Sequence, residues 1–174
     1  MFTRPVLALL FTAAISWAQQ LDDAFVGQKA PEIKSGKTWI NSAPLKLEQL
    51  RGKVVLIEFW AWDCPFCAQE MPYIKHLYEK YTKEGLVIIG VHTPRVDYEK
   101  DIPKVKEAVV NKEIKYPVVV DNDYEIWTDY ACGVWPTIYV IDQEGVIRLS
   151  HSGNGREDEI EELIQNLLDK NRAK

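Results

Sequence analysis

Residues 54–60, Val-Val-Leu-Ile-Glu-Phe-Trp, form an apolar run interrupted by one carboxylate, and just beyond it Cys64-Pro65-Phe66-Cys67 opens a stretch with helical spacing. A run this short and this apolar predicts a central parallel strand covered on both faces. Because the strand passes straight into a helix, the chain is directed towards an α/β architecture. Asp63 or Cys64 stands where the helix needs a cap, and Pro65 suits the first turn, where a missing N–H costs nothing. Cysteines three apart at a helix start share one face and lie close enough to be bridged. The positive end of the helix favours a thiolate at Cys64, whereas Cys67, a turn deeper, keeps its proton longer. The pattern assigns attack to Cys64 and resolution to Cys67.

Other uses of the pair fit less well. A zinc site would need a second Cys-x-x-Cys or a His-x-x-x-His, and a haem attachment site would need His at residue 68, which is Ala. An inert disulfide closing so short a loop would stabilise the fold little. Disulfide exchange is therefore the expected chemistry, with no cofactor and no metal.

Residues 1–18 carry Arg4, the apolar core VLALLFTAAI, and small residues at Ser16 and Ala18, the layout of a secretory signal peptide. The apolar stretch is short for a membrane span, and an uncleaved form would act as an anchor. Its removal leaves one domain, 19–174, in a periplasmic or otherwise extracytoplasmic compartment where disulfides persist. It also removes one positive charge from a chain already at −5, a balance that argues against nucleic acid as a partner. A monomer is expected.

After an extended segment at 28–35, a strand is predicted at 38–40, a turn at 41–44 and a short helix at 47–50. The helix that follows the cysteines carries Met71, Ile74, Tyr78 and Tyr81 on its inner stripe, and Pro72 should kink it. Further elements are a strand at 86–91, a helix at 101–112 with Ile102, Val105 and Val109 inward, a strand at 118–120 and a short helix at 124–130. A hairpin joins 137–141 to 146–150 across Gln143-Glu144-Gly145, and a last helix buries Ile160, Leu163, Ile164, Leu167 and Leu168.

This order, with LRGKVVLIEFW, GLVIIGVHTP, YPVVVDNDYEIW and VWPTIYVIDQEG at matching intervals, resembles the thioredoxin fold, and within it the exported TlpA-like proteins and the thioredoxin-like domain of DipZ proteins. The resemblance spans nearly all of residues 27–168. It implies a mixed sheet flanked by helices, an N-terminal extension, and an insertion after the second core strand. It also implies that Pro136 is the cis-proline facing the cysteines. From physics alone, that proline reads as a trans residue starting an edge strand, since cis is found in only about 5% of X–Pro bonds. Trp135 then becomes a wall of the substrate groove, with Pro65, Phe66 and Trp62 completing the contact surface. Glu58 matches the buried acid six residues before the first cysteine, which takes the proton from Cys67. Read without the resemblance, a lone carboxylate in this strand is either buried with its pKa raised, or sits on an exposed face or pairs with Lys53.

The function expected is an exported thiol-disulfide oxidoreductase, acting as a reductase on disulfide-containing proteins and drawing electrons from a membrane thiol-disulfide reductase. A peroxidase of the redoxin or peroxiredoxin type is the alternative, though the Thr of a Pro-x-x-x-Thr-x-x-Cys setting is missing. A copper carrier would bring His92 and His151 to the cysteines. Cys132, four residues before Pro136, is either a third redox thiol or a buried apolar-like side chain. Pro65 and Phe66 offer no cation to stabilise a thiolate strongly, so a moderately reducing potential is expected.

Overall fold

The computed structural model describes residues 25–34 and 37–172, and the proposed signal peptide lies outside them. Six strands form one sheet in the order β1-β4-β3-β2-β5-β6. They are β1 (Thr38–Ile40), β2 (Val54–Trp60), β3 (Leu86–His92), β4 (Val118–Val120), β5 (Thr137–Ile141) and β6 (Ile147–Ser152). Strands β2, β3 and β4 run parallel, whereas β1, β5 and β6 each lie antiparallel to their neighbours. The mixed sheet expected from the sequence is therefore present.

Strand β2 is hydrogen-bonded on both edges and all seven of its residues are buried. Two apolar layers cover it. Val54, Leu56 and Trp60 face α1 (Pro65–Tyr81) and the last helix, here α4 (Glu157–Arg172). Val55, Ile57 and Phe59 face the layer built by Ile33, Leu47 and the short helix α3 (Glu125–Asp129). The expected insertion after the second core strand is the β3–β4 connection, with a 3₁₀ turn at Asp97–Lys100 and α2 (Ile102–Asn111).

Two sequence expectations need correction. The inner stripe of α1 is Cys67, Met71, Ile74, Leu77 and Tyr81. Tyr78 is only half-buried and meets Tyr116 edge-on at 5.9 Å. Both positions lie within the helical arc that faces the sheet, and Leu77 is the one that packs into the core while Tyr78 lies against its edge. Ile102 and Leu163, expected inward, are likewise half-buried, each at the margin of its helix's apolar face. Pro72 lies inside α1, which is assigned as one helix from Pro65 to Tyr81. Among the described residues no helix is long and apolar enough to cross a membrane.

Gly90 occupies mid-strand in β3 opposite Glu58. A Cβ there would lie 3.0 Å from Trp60 Nε1 and 3.1 Å from Tyr116 Cε2. The close approach of two aromatic rings explains a glycine where a β-branched residue would otherwise be favoured. Gly90→Val is expected to lower unfolding stability by about 1–3 kcal/mol, seen as a lower urea midpoint at unchanged m.

Candidate active site

The chain leaves β2 at Trp60, turns through Ala61-Trp62-Asp63, and enters α1 with Cys64 as the N-cap, in extended conformation. Cys64 Sγ accepts the Cys67 N–H at 3.2 Å, satisfying one of the donors that a helix start leaves unpaired. Cys64 and Cys67 are joined in a disulfide with their Cα atoms 5.3 Å apart. Both are buried, Cys64 at 4% exposure and Cys67 at 1%, so Cys64 is less open than its place at a helix start suggests.

Asp63 is not the cap. Its carboxylate accepts the Tyr98 hydroxyl at 2.5 Å, and its carbonyl accepts Arg95 Nη2 at 2.5 Å. Arg95 in turn pairs with the fully buried Glu99 at 3.0 Å. The insertion after β3 thus straps the turn that carries Cys64, and it brings a guanidinium that the local sequence does not contain. Glu99 neutralises that charge, so no free cation faces the cysteines from this loop.

Phe66 is exposed, Pro65 is exposed beside it, and Trp62 is half-buried against Tyr98, ring centroids 5.7 Å apart. The Trp135–Pro136 peptide is cis. Phe59 pairs with Thr137, so Pro136 lies at the end of the sheet where β2 gives way to the cysteine turn. The half-buried Trp135 ring donates its N–H to the Thr93 carbonyl at 2.9 Å and stacks on Trp127 at 4.0 Å.

Glu58 is fully buried, with no partner in Lys53. One carboxyl oxygen accepts the Tyr116 hydroxyl at 3.0 Å, and the other has no hydrogen-bond partner. Burial pushes its pKa up to about 7, with the Tyr116 bond pulling the other way. The sequence reading missed a second acid. Glu70, 3% exposed and one turn beyond Cys67, also has an unpartnered carboxyl oxygen. Burial, then the charges of Glu58 and Glu157, push it up to about 9. Its spacing from Cys67 and Ile74 was the available signal, since all three fall on the inner stripe.

A family model described as Redoxin matches residues 25–166 of this chain. The chain belongs to the redoxin family. This redoxin is 40% identical over 142 residues to Protein DipZ of Mycobacterium tuberculosis, covering 80% of the chain but only 20% of DipZ. It therefore spans about a fifth of that relative's length. It is 30% identical to thiol-disulfide oxidoreductase ResA of Bacillus cereus, covering 82% of the chain and 78% of ResA. A thioredoxin-like protein solved in its oxidized form superposes with a TM-score of 0.73 at 30% identity, covering 87% of this chain and 98% of that one.

The remaining expected residues of this redoxin do not join the cysteines. His92 is fully buried, packed edge-on against Trp60 at 5.2 Å, and burial pushes its pKa down to about 4. His151 sits on β6, with β2 and β5 between the two histidines, about 14 Å of strand spacing. The copper ligand set therefore does not assemble. Cys132 packs with the apolar layer on the other side of the sheet, and burial pushes its thiol well up.

In the unfolded chain Glu58 and Glu70 titrate near 4.5, so above that pH the folded redoxin holds protons the unfolded chain has released. Stability is fully present below that value and is lost as pH rises through about 7 and then about 9. The urea midpoint should fall as pH is raised from about 5 to 8, with Glu58 contributing ~3 kcal/mol of the change. Glu58→Gln and Glu70→Gln should each flatten the slope, and a flat wild-type profile would contradict the raised carboxyls.

Proposed function

We propose that this redoxin is a thiol-disulfide oxidoreductase of an extracytoplasmic compartment, working as a reductase on disulfide-containing proteins. The observation that supports this best is Cys64 at the N-cap of α1, its sulfur taking a backbone N–H, with Cys67 one turn deeper. In the reduced protein that N–H and the helix dipole favour the Cys64 thiolate, the species that attacks a substrate disulfide. One substrate sulfur bonds to Cys64 and the other leaves as a thiol. Cys67 then loses its proton, attacks Cys64 Sγ, and expels the second substrate thiol. Two electrons have passed to the substrate and the Cys64–Cys67 disulfide is formed. A membrane thiol-disulfide reductase returns the pair to dithiol.

Glu58 is the base for Cys67 in this scheme. A carboxyl held near neutrality by burial can take a proton at physiological pH and release it again. Trp62, Pro65, Phe66, Trp135 and Pro136 form the surface over which a substrate polypeptide lies. Residues 1–18 act as the export signal, residues 19–174 as one domain, and the protein is a monomer.

Cys64→Ser should abolish insulin reduction. Glu58→Leu should slow it about 10- to 100-fold without unfolding the protein, and should remove the rise in rate through about pH 7. A Glu58→Leu rate equal to wild type from about pH 6 to 9 would remove Glu58 from the scheme. Peroxide consumption without a partner thiol would move the assignment to peroxidase chemistry. In glutathione buffers the Cys64–Cys67 couple should equilibrate nearer to about −270 mV than to about −120 mV, the two ends known for this chemistry. A value at the oxidising end would reverse the direction of electron flow.

A further inference from the structure

At the carboxyl ends of the parallel strands, Asp121 is fully buried immediately after β4. Its carboxylate gathers four donors. Oδ1 accepts the Ile126 N–H at 3.1 Å and lies 3.4 Å from Lys37 Nζ. Oδ2 accepts the Trp127 N–H at 2.9 Å and the Thr93 hydroxyl at 3.4 Å. Lys37, from the segment that precedes β1, has a side chain only 7% exposed and also pairs with Asp123 and with Glu125. A charge this buried is costly unless it is hydrogen-bonded, and an apolar residue would fill the site at less cost. What the carboxylate holds therefore matters more than the pair itself.

Both restraints on the Trp135 ring lead back to it. The Trp135 N–H is held by the carbonyl of Thr93, whose hydroxyl bonds Asp121. The Trp135 face is held by Trp127, whose backbone N–H bonds the same carboxylate. Trp135 directly precedes the cis Pro136. We propose that Asp121 is a positioning residue that fixes the Trp135 wall through Thr93 and Trp127, with Lys37 as its counter-charge, and so sets the affinity for polypeptide disulfides over small ones. This rests on the oxidoreductase reading above. A small disulfide needs only to reach Cys64, whereas a polypeptide must also lie along Trp135 and Pro136.

Asp121→Asn keeps the size of the side chain, leaves Lys37 with Asp123 and Glu125, and turns one acceptor oxygen into a donor facing a donor. Lys37→Met keeps the stem and removes the counter-charge. Each variant is assayed with insulin and with oxidised glutathione, alongside the Cys64–Cys67 potential and the circular dichroism couplet of the stacked indoles. Asp121→Asn should raise KM for insulin about tenfold with kcat within about twofold, and Lys37→Met should raise it about threefold. In both variants kcat/KM for glutathione should stay within about twofold and the potential should be unchanged, while the couplet weakens.

An unchanged insulin KM, or an equal loss with both disulfides, overturns the proposal. If Asp121→Asn does not fold, the Lys37→Met result decides by the same criteria. A wild-type chain inert towards both disulfides overturns the oxidoreductase reading, and the proposal with it.

Discussion

Glu58 stands in the middle of a strand whose seven residues are all sealed from water, and the donor that meets it is the Tyr116 hydroxyl. An ionised carboxylate in that position would be paid for in several kcal/mol of lost hydration. The surroundings are arranged around keeping it neutral for part of the physiological range. Tyr116 reaches it from the turn before β4, and Gly90 gives up its side chain where Tyr116 and Trp60 pass. Glu70 comes down from α1 as a second acid, so ionising either opposes ionising the other. The helix that presents the cysteines is thus the same element that closes the carboxyl chamber, and any shift of α1 alters both.

The rim above this chamber is built from parts far apart in the chain. On one side the insertion after β3 holds the cysteine turn by Arg95 to the Asp63 carbonyl and Tyr98 to the Asp63 carboxylate. On the other, the Trp127–Trp135 stack flanks the cis Pro136. Phe66 is 60% exposed and Val134 47%. On the strap itself Tyr98 is 52% exposed and Val96 43%, so apolar surface open to a partner extends onto the insertion as well.

What could be read from the sequence follows physical range. Strand β2, the helix after it, and the Cys64–Cys67 pair are written in consecutive residues whose periodicity is strong, and the structure places them as expected. The cis Trp135–Pro136 peptide was accessible only through family resemblance, because nothing in the local sequence separates it from a trans edge proline. Leu77 was passed over for Tyr78 because both satisfy an approximate helical period, and packing against β2 and β3 decides between them. Glu70 was missed for a different reason: a glutamate on a helix is by default solvated, and only its place on the Cys67–Ile74 stripe argued otherwise. The Arg95–Asp63 and Asp121–Thr93–Trp135 links join residues 28 to 42 positions apart through side-chain donors, and no periodic signal encodes such contacts.

Cys132 packs into the layer beneath β2, whereas Cys64 and Cys67 belong to the layer above it. The sheet between them acts as an insulator. A third thiol four residues from Pro136 invites scrambling, because any sulfur that reaches an exchanging disulfide can capture it. Here the hydrogen-bonded strands stand in the path of that attack, and burial keeps Cys132 in its unreactive protonated form. The molecule can therefore cycle its reactive pair through mixed disulfides while carrying a spare cysteine, with no need of a further residue to guard it.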